Sequence, residues 1–559
     1  MKKRTRFISA GIILGIILAV AGILFLQRQS ATPEKNPTTL LSSTEISDNL
    51  GTELVTTRQD DQATSTADYA TTAQDQSYSL ESPYIKVNPY EISPLSALII
   101  FTTPQAASIS YTVLGKTEGT SLTNTVNGGA QTVHQIPVVG LYADYDNTVK
   151  ITVTYADGTT AEKSFTVTTS KLPKYISSVD ISVTNVDKSK MDIGDNELTI
   201  INRTTKEPFA VDADGEVRWY LTEYSQHTIE QWSNGHLMIL SKEDVNSLVY
   251  NDLIEVDVLG RVYKEFTFSS KTSATDGGEE TTVIHHDLLE LPNGNILATV
   301  SDGSVYKEDT LAEISYETGK VVKVVDMKTI FPESMYVSYQ KGDDEKVDWL
   351  HTNSLDYDNA DGTILISNRN QDLTMKFNWA SDEIVWLYSG KEKSEWPDNL
   401  QQYVLTPTEG SSITGGQHAL TLLEDEDNNP NSEDVLLFDN NINVTNGDAS
   451  TSGKYSQAVQ YHIDLDKMTI DQTWAWGKKL GKKNYSMIIG YAQRLSNDNT
   501  LIDFGFLSNG ENSNIIEVDA DGNQVFNLVV ENAASKAYAY RAYREAFYSS
   551  DYVFDALNE

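Results

Sequence analysis

Four histidines occupy the same slot of a repeated unit. His227 opens HTIEQWSNG, His286 opens HDLLELPNGN, His351 opens HTNSLDYDNADG and His418 opens HALTLLEDEDN. Each begins a short apolar stretch that runs into an Asn/Asp/Gly turn. The chain has 8 histidines, so half of them are in register. If the unit repeats in space, the imidazoles converge. Polar chemistry lies beside them. Asn353 follows His351 by two residues and shares its strand face, Arg369 ends the apolar run ILISN, and Gly415-Gly416 precede Gln417-His418. A guanidinium there suits an oxyanion, and paired glycines permit close approach of a substrate. His285, next to His286, is expected to point the opposite way. His134, His236 and His462 fall outside the slot and read as structural.

Two chemistries suit converging imidazoles. Three or four can hold zinc or copper. Here the spacing is dispersed, with no HxH or HxxxH pair and no carboxylate recurring in the slot, so no metal and no cofactor is expected. The other chemistry is covalent. A neutral imidazole attacks an electrophilic sulfur, phosphorus or acyl centre, while neighbouring imidazoles and an arginine stabilise the oxygens of the transferring group. The chain has no cysteine, which excludes disulfides, thiolate metal sites and a Cys nucleophile.

The elements that must position these residues are hairpins. FAVDADGEVRWYL, MKFNWASDEIVWLY and IIEVDADGNQVFNL each read as two alternating strands about a tight turn. A second hairpin alternates with the first, as in LELPNGNILATV and RLSNDNTLIDFG. Two hairpins make a four-stranded sheet. Six such units over residues 175–559 predict a six-bladed β-propeller, with five or seven blades as alternatives. The first residue of each innermost strand then faces the central channel. The terminal AYRAYREAFY has some helical character but also suits a strand that seals the ring.

Residues 82–174 read as a small β-sandwich of about seven short strands, among them SALIIFTT and TVKITVTYADG. The class is therefore all-β. Residues 29–81, rich in Ser, Thr, Asp and Gln, read as a disordered, solvated linker. Residues 1–28 begin with Lys2, Lys3, Arg4 and Arg6, followed by an uncharged apolar run from Ile8 to Leu26. That pattern predicts an uncleaved signal-anchor, a single transmembrane helix with the rest of the chain extracytoplasmic at the cell membrane. The formal net charge of -38 argues against nucleic acid as a partner. Exposed sandwich strands suit a homodimer.

In IHHDLLELPNGN, DWLHTNSLDYD, ILISNRNQDLTMKF, GGQHALTLL and YRAYREAFY the chain resembles the arylsulfate sulfotransferase family, over roughly residues 85–555. The resemblance implies an exported six-bladed propeller with an N-terminal β-sandwich. It implies sulfuryl transfer from a phenolic sulfate to another phenol, without a nucleotide donor, by a ping-pong route through a sulfohistidine. It makes His418 the nucleophile, gives His351, His286 and Arg369 the sulfate, and makes Asn353 a further sulfate contact. His227 matches no family position and is carried as a substrate-binding candidate from the repeat alone. Periplasmic members have a disulfide and a cleaved signal, which this chain lacks or is not expected to have. A non-enzymatic surface propeller that binds a glycan or protein, and a metal-dependent propeller enzyme, are the alternatives. The place of the histidines in the fold separates them.

Overall fold

The computed structural model describes residues 35–557, apart from 228, 244–245, 276–280, 425–426, 428, 532–536 and 550. The expected transmembrane run lies outside the described residues. Among those described, no helix is long and apolar enough to cross a membrane.

Six sheets carry the bulk of the chain, each built on four antiparallel strands. Their innermost strands are Ala539–Ala546 (blade one), Ile229–Gln231 (two), Ile284–Glu290 (three), Thr352–Asp358 (four), His418–Leu422 (five) and Tyr491–Arg494 (six). Alternating apolar residues fill the space between sheets. Leu365, Trp386, Leu437 and Tyr461 form one such buried layer between blades four and five.

The inner strands are tied to one another around a closed ring. Gln231 Nε2 donates to Ala546 O at 3.2 Å between blades two and one. His227 Nδ1 meets the carbonyl of His285 between two and three. Leu355 N donates to Asp287 Oδ2 at 2.8 Å between four and three, and Leu422 N to Asp356 Oδ2 at 2.7 Å between five and four. Asn440 Nδ2 donates to Ile489 O at 2.6 Å between five and six. Gln493 Nε2 donates to Arg544 O at 2.9 Å and closes the circle between six and one. Each bond satisfies a backbone group that the sheet itself leaves free.

The terminal segment resolves as a strand. Ala539–Ala546 pairs antiparallel with Glu197–Arg203, so the end of the chain supplies the innermost strand of blade one. At the other end, Asp180–Val186 adds to the outside of blade six.

Residues Tyr84–Thr168 form one continuous six-stranded sheet rather than two separate ones. The long strand Ala97–Val113 serves both halves. Its first part pairs with Tyr84–Val87 and Gln131–Val138, and its second with Leu122–Thr125 and Asp146–Tyr155. The register breaks between Thr102 and Ala107, around Pro104, where a ladder donor is missing.

Residues 35–81, expected to belong to a solvated linker, are packed against the propeller instead. Ser43–Leu50 is a helix with a capping box between Ser42 and Glu45. Its Ile46 and Leu50 are buried against Trp232, Met238 and Phe266 of blade two. Glu53–Val55 then adds a strand to the edge of that blade. The helix Thr57–Gln74 follows and buries Tyr69 and Ala73 in the main core. Arg58 reaches Asp252 and Glu265 inside blade two and donates to Lys242 O at 2.6 Å. A few well-placed anchors hold a segment whose average composition is polar.

Candidate active site

The histidine slot sits where the inner strands of blades two to five begin. His227 lies two residues before Ile229, His286 is the third residue of its strand, His351 immediately precedes Thr352, and His418 is the first residue of its strand. The pairing slips at this slot in three successive blades, between Ile284 and Leu288, Thr352 and Ser354, and His418 and Thr421. A bulge re-aims the side chain at that position. His227 and His351 have φ of 62° and 57°, and Ala419 after His418 has 56°. Non-glycine residues rarely adopt this conformation, and such strain gathers at functional sites.

The rings form a row. His227 stacks on His286 with centroids 5.0 Å apart, and His286 lies 4.5 Å from His351. His286, not His285, joins the row. His285 is buried edge-on to it, and burial pushes its imidazole down to about 4. His227 Nδ1 faces the His285 carbonyl and its Nε2 lies 3.2 Å from Gln226 Nε2, so both nitrogens already have protein partners.

His418 is set by an amide whose orientation is fixed. Asn440 Nδ2 donates to Ser486 O at 2.9 Å and to Ile489 O at 2.6 Å, so its Oδ1 is the atom turned to His418 Nδ1, at 2.7 Å. Gly416 O is a second acceptor at 3.1 Å. Two acceptors require a proton on Nδ1, which leaves Nε2 with a free lone pair. Burial, then the nearby Arg369 charge, holds His418 well below the usual histidine value; Asn440 works the other way but is outweighed. The ring is a neutral imidazole over a wide pH range.

The glycines before it have a steric reason. A Cβ on Gly415 would stand 2.7 Å from Ile442 O, and Gly416 has φ +60° with Ile442 Cγ2 only 2.5 Å from its would-be Cβ. Two buried carboxylates pin this segment. Asp372 accepts from Gly416 N at 2.6 Å and from Gly447 N at 2.8 Å, while Asp439 accepts from Gly415 N at 3.0 Å.

His351 has the opposite electrostatics. Its Nδ1 lies 2.5 Å from Glu308 Oε2 and 2.7 Å from Asp348 Oδ2. Burial opposes the charged ring, but the two carboxylates prevail and raise it to about 10. It is an imidazolium at neutral pH. Glu308 also faces His286 Nε2 at 3.3 Å. Burial would raise its carboxyl, and the charge of His351 with the His286 hydrogen bond holds it well below the carboxylate range instead. His286 Nδ1 meets the Tyr540 hydroxyl at 2.9 Å, and burial together with the His351 charge keeps this ring neutral.

Arg369 supplies a second cation. Its backbone N donates to His351 O at 3.0 Å, which ties it to the slot. Nη1 donates to Asn370 Oδ1 at 2.8 Å, while Nε is a buried donor with no acceptor among the described residues. Asn353 Nδ2 donates one of its two N–H groups to Gln417 O at 2.7 Å, so the amide clamps the backbone before His418.

No carboxylate recurs in the slot itself, yet Glu308 and Asp348 bring two to it. Both come from loops outside the repeat, as does Asn440, and Tyr540 comes from the closing strand; no spacing rule pointed to them. Glu308, Asp348 and His351 present ligand atoms within 4.8 Å of one another, as do His285, His286 and Glu308. The first trio carries its own counter-charge in His351. A third group, Asp358, Asp361 and Glu433, is filled by Lys376 Nζ at 2.7, 3.0 and 2.5 Å.

A propeller-like ring with a neutral histidine and two cations at one mouth defines a class of group-transfer site. The comparisons give that class a family. The arylsulfotransferase (ASST) family profile matches residues 183–541, and the arylsulfotransferase Ig-like domain matches residues 84–170. The chain belongs to the arylsulfotransferase family. It is 24% identical to the arylsulfate sulfotransferase AssT of Escherichia coli O6:H1 over 75% of this chain and 84% of that one. It is likewise 24% identical to AssT of Lelliottia amnigena, over 76% and 84%. Among solved structures, Pseudomonas aeruginosa periplasmic gluconolactonase PpgL overlaps 79% of this chain and 99% of its own at 9% identity and a TM-score of 0.35.

Proposed function

We propose that this arylsulfotransferase moves a sulfuryl group from a phenolic sulfate ester to a second phenol through a covalent intermediate on His418. In the first half-reaction Nε2 attacks sulfur, the N–S bond forms, and the S–O bond to the ring breaks. The departing phenolate takes a proton from His351. In the second half the acceptor phenol attacks the same sulfur as His351 recovers that proton, and the N–S bond breaks. Atoms and charge balance without a cofactor.

One observation carries this reading: a neutral His418 with its Nδ1 proton committed to Asn440 lies within electrostatic reach of Arg369, which has an unanswered N–H donor. The transferring group carries negative charge on three oxygens, and fixed cations at that place stabilise it. His351, raised to about 10, is close to an ordinary phenol, which suits proton exchange with a phenolate leaving group. His286, held neutral, donates from Nε2 to Glu308 and accepts the Tyr540 hydroxyl at Nδ1, so it adds no charge to the row. His227 and Asn353 act as supports, the first behind His286 and the second under Gln417.

The test is transfer from 4-nitrophenyl sulfate to phenol by the full chain and by His418→Ala. Turnover by the chain and loss in the variant support the reading. Full activity in His418→Ala contradicts it. We further propose that residues 1–28 anchor the enzyme with its propeller outside the cytoplasm, on the strength of the basic flank and apolar run; protease protection in intact cells tests this, and a protected propeller domain overturns it.

A further inference from the structure

Two large cavities lie away from the histidine row, and they differ in charge. One, about 870 Å³, sits between the helix Thr57–Gln74 and blade two and carries five carboxylates against Arg58. The other, about 840 Å³, lies between the outer strand of blade five and the Ala520–Gly522 turn of blade six. Its walls include Tyr455, Trp474 and Trp476, and its basic groups are Lys478 and Lys479, against Asp521. On a chain of net charge -38 this cavity is locally basic.

The walls are held in place. Trp476 Nε1 donates to Gly522 O at 2.9 Å, and the Arg494 guanidinium lies 5.2 Å from the Trp474 ring centroid. Lys478 Nζ is 5.1 Å from the Tyr455 centroid. The lysines belong to the run Lys478-Lys479-Leu480-Gly481-Lys482-Lys483. Lysines 116, 150, 163, 188, 307, 323, 328, 376 and 467 are paired with carboxylates. None of the four in this run has such a pair among the described residues. The run leads directly to Ser486, whose carbonyl accepts from Asn440, the residue that orients His418. Aromatic walls with ammonium groups at their edge take a flat ring bearing a negative charge.

We propose that the cleft of Tyr455, Trp474, Trp476, Lys478 and Lys479 is a second binding site for an anionic aromatic molecule, the aryl sulfate donor, outside the transfer site. The identity of the ligand rests on the proposed function; the existence of the site does not. Its location on the segment that leads to the histidine row makes it a holding station for donor on an otherwise repelling surface.

The probe is naphthalene-2-sulfonate, which has a C–S bond and no transferable sulfuryl group. Binding to the full chain is followed by tryptophan fluorescence and by equilibrium dialysis. In an Arg369→Ala background, which removes the transfer-site cation, Lys478→Glu/Lys479→Glu and Trp474→Ala are each expected to weaken the remaining binding about tenfold. Neutral 2-naphthalenemethanol is expected to bind at least about tenfold more weakly. Lys478 and Lys479 are exposed, so their substitution tests the site without disturbing the packing. In transfer assays the double lysine variant is expected to keep kcat and lose kcat/KM. Binding that survives both variants, or that does not distinguish the neutral ring from the anion, overturns the proposal. Binding that behaves as expected in a chain without transfer activity upholds the site and refutes the proposed function alone.

Discussion

His418 and His351 have the same position in the repeat and opposite charge states, because their neighbours differ. Asn440 gives His418 a neutral acceptor; Glu308 and Asp348 give His351 two negative ones. The donor-only sulfurylation rate should therefore show a plateau. Its acid limb lies below 6.5, where His418 begins to protonate, and its basic limb lies near 10, where His351 loses its charge. Glu308→Gln removes one of the two charges on His351 and should move the basic limb down by about 1 pH unit or more; an unmoved limb assigns it to another group. The raised imidazole also links to stability. Its contribution is present in full below 6.5 and is lost as pH rises through about 10. Arg369→Ala should lower transfer by about 100- to 1,000-fold, since no other side chain replaces its orphaned donor. The recurrence of His227, His286, His351 and His418 made the row legible in the sequence. Glu308, Asp348 and Asn440 were not legible, because they belong to loops and enter the site only through long-range folding.

At the level of elements, the hairpins were readable because alternation and Asn-Gly or Asp-Gly turns are local signals. The closing strand was ambiguous, since its alanines suit a helix and only its pairing with Glu197–Arg203 decides the matter. Residues 35–81 escape a reading by composition for a related reason. Its helix Thr57–Gln74 buries only Thr66, Tyr69 and Ala73, too few to stand out from a polar background. If Ser43–Leu50 is part of the packed structure, Leu50→Ala, at a site 0% exposed, should cost about 2–5 kcal/mol in urea unfolding. A solvated stalk would show no change.

Over the whole molecule, the ring is closed by residues from the two ends of the propeller segment, with Asp180–Val186 outside blade six and Ala539–Ala546 inside blade one. Removing the chain from residue 537 onward takes away the innermost strand of blade one, together with Tyr540 and the bond from Gln493 to Arg544. The shortened protein should fail to fold cooperatively, as seen by circular dichroism on heating; a sharp transition would show that blade one closes without that strand. The ring also accounts for how residues so far apart in sequence share one mouth. The central claim is that His418 carries the sulfuryl group. Intact-mass and peptide analysis after incubation with 4-nitrophenyl sulfate alone tests it most directly. A gain of about 80 Da on the peptide that contains His418, reversed by added phenol, is the predicted result. An unmodified His418 in a chain that still transfers sulfate would contradict it.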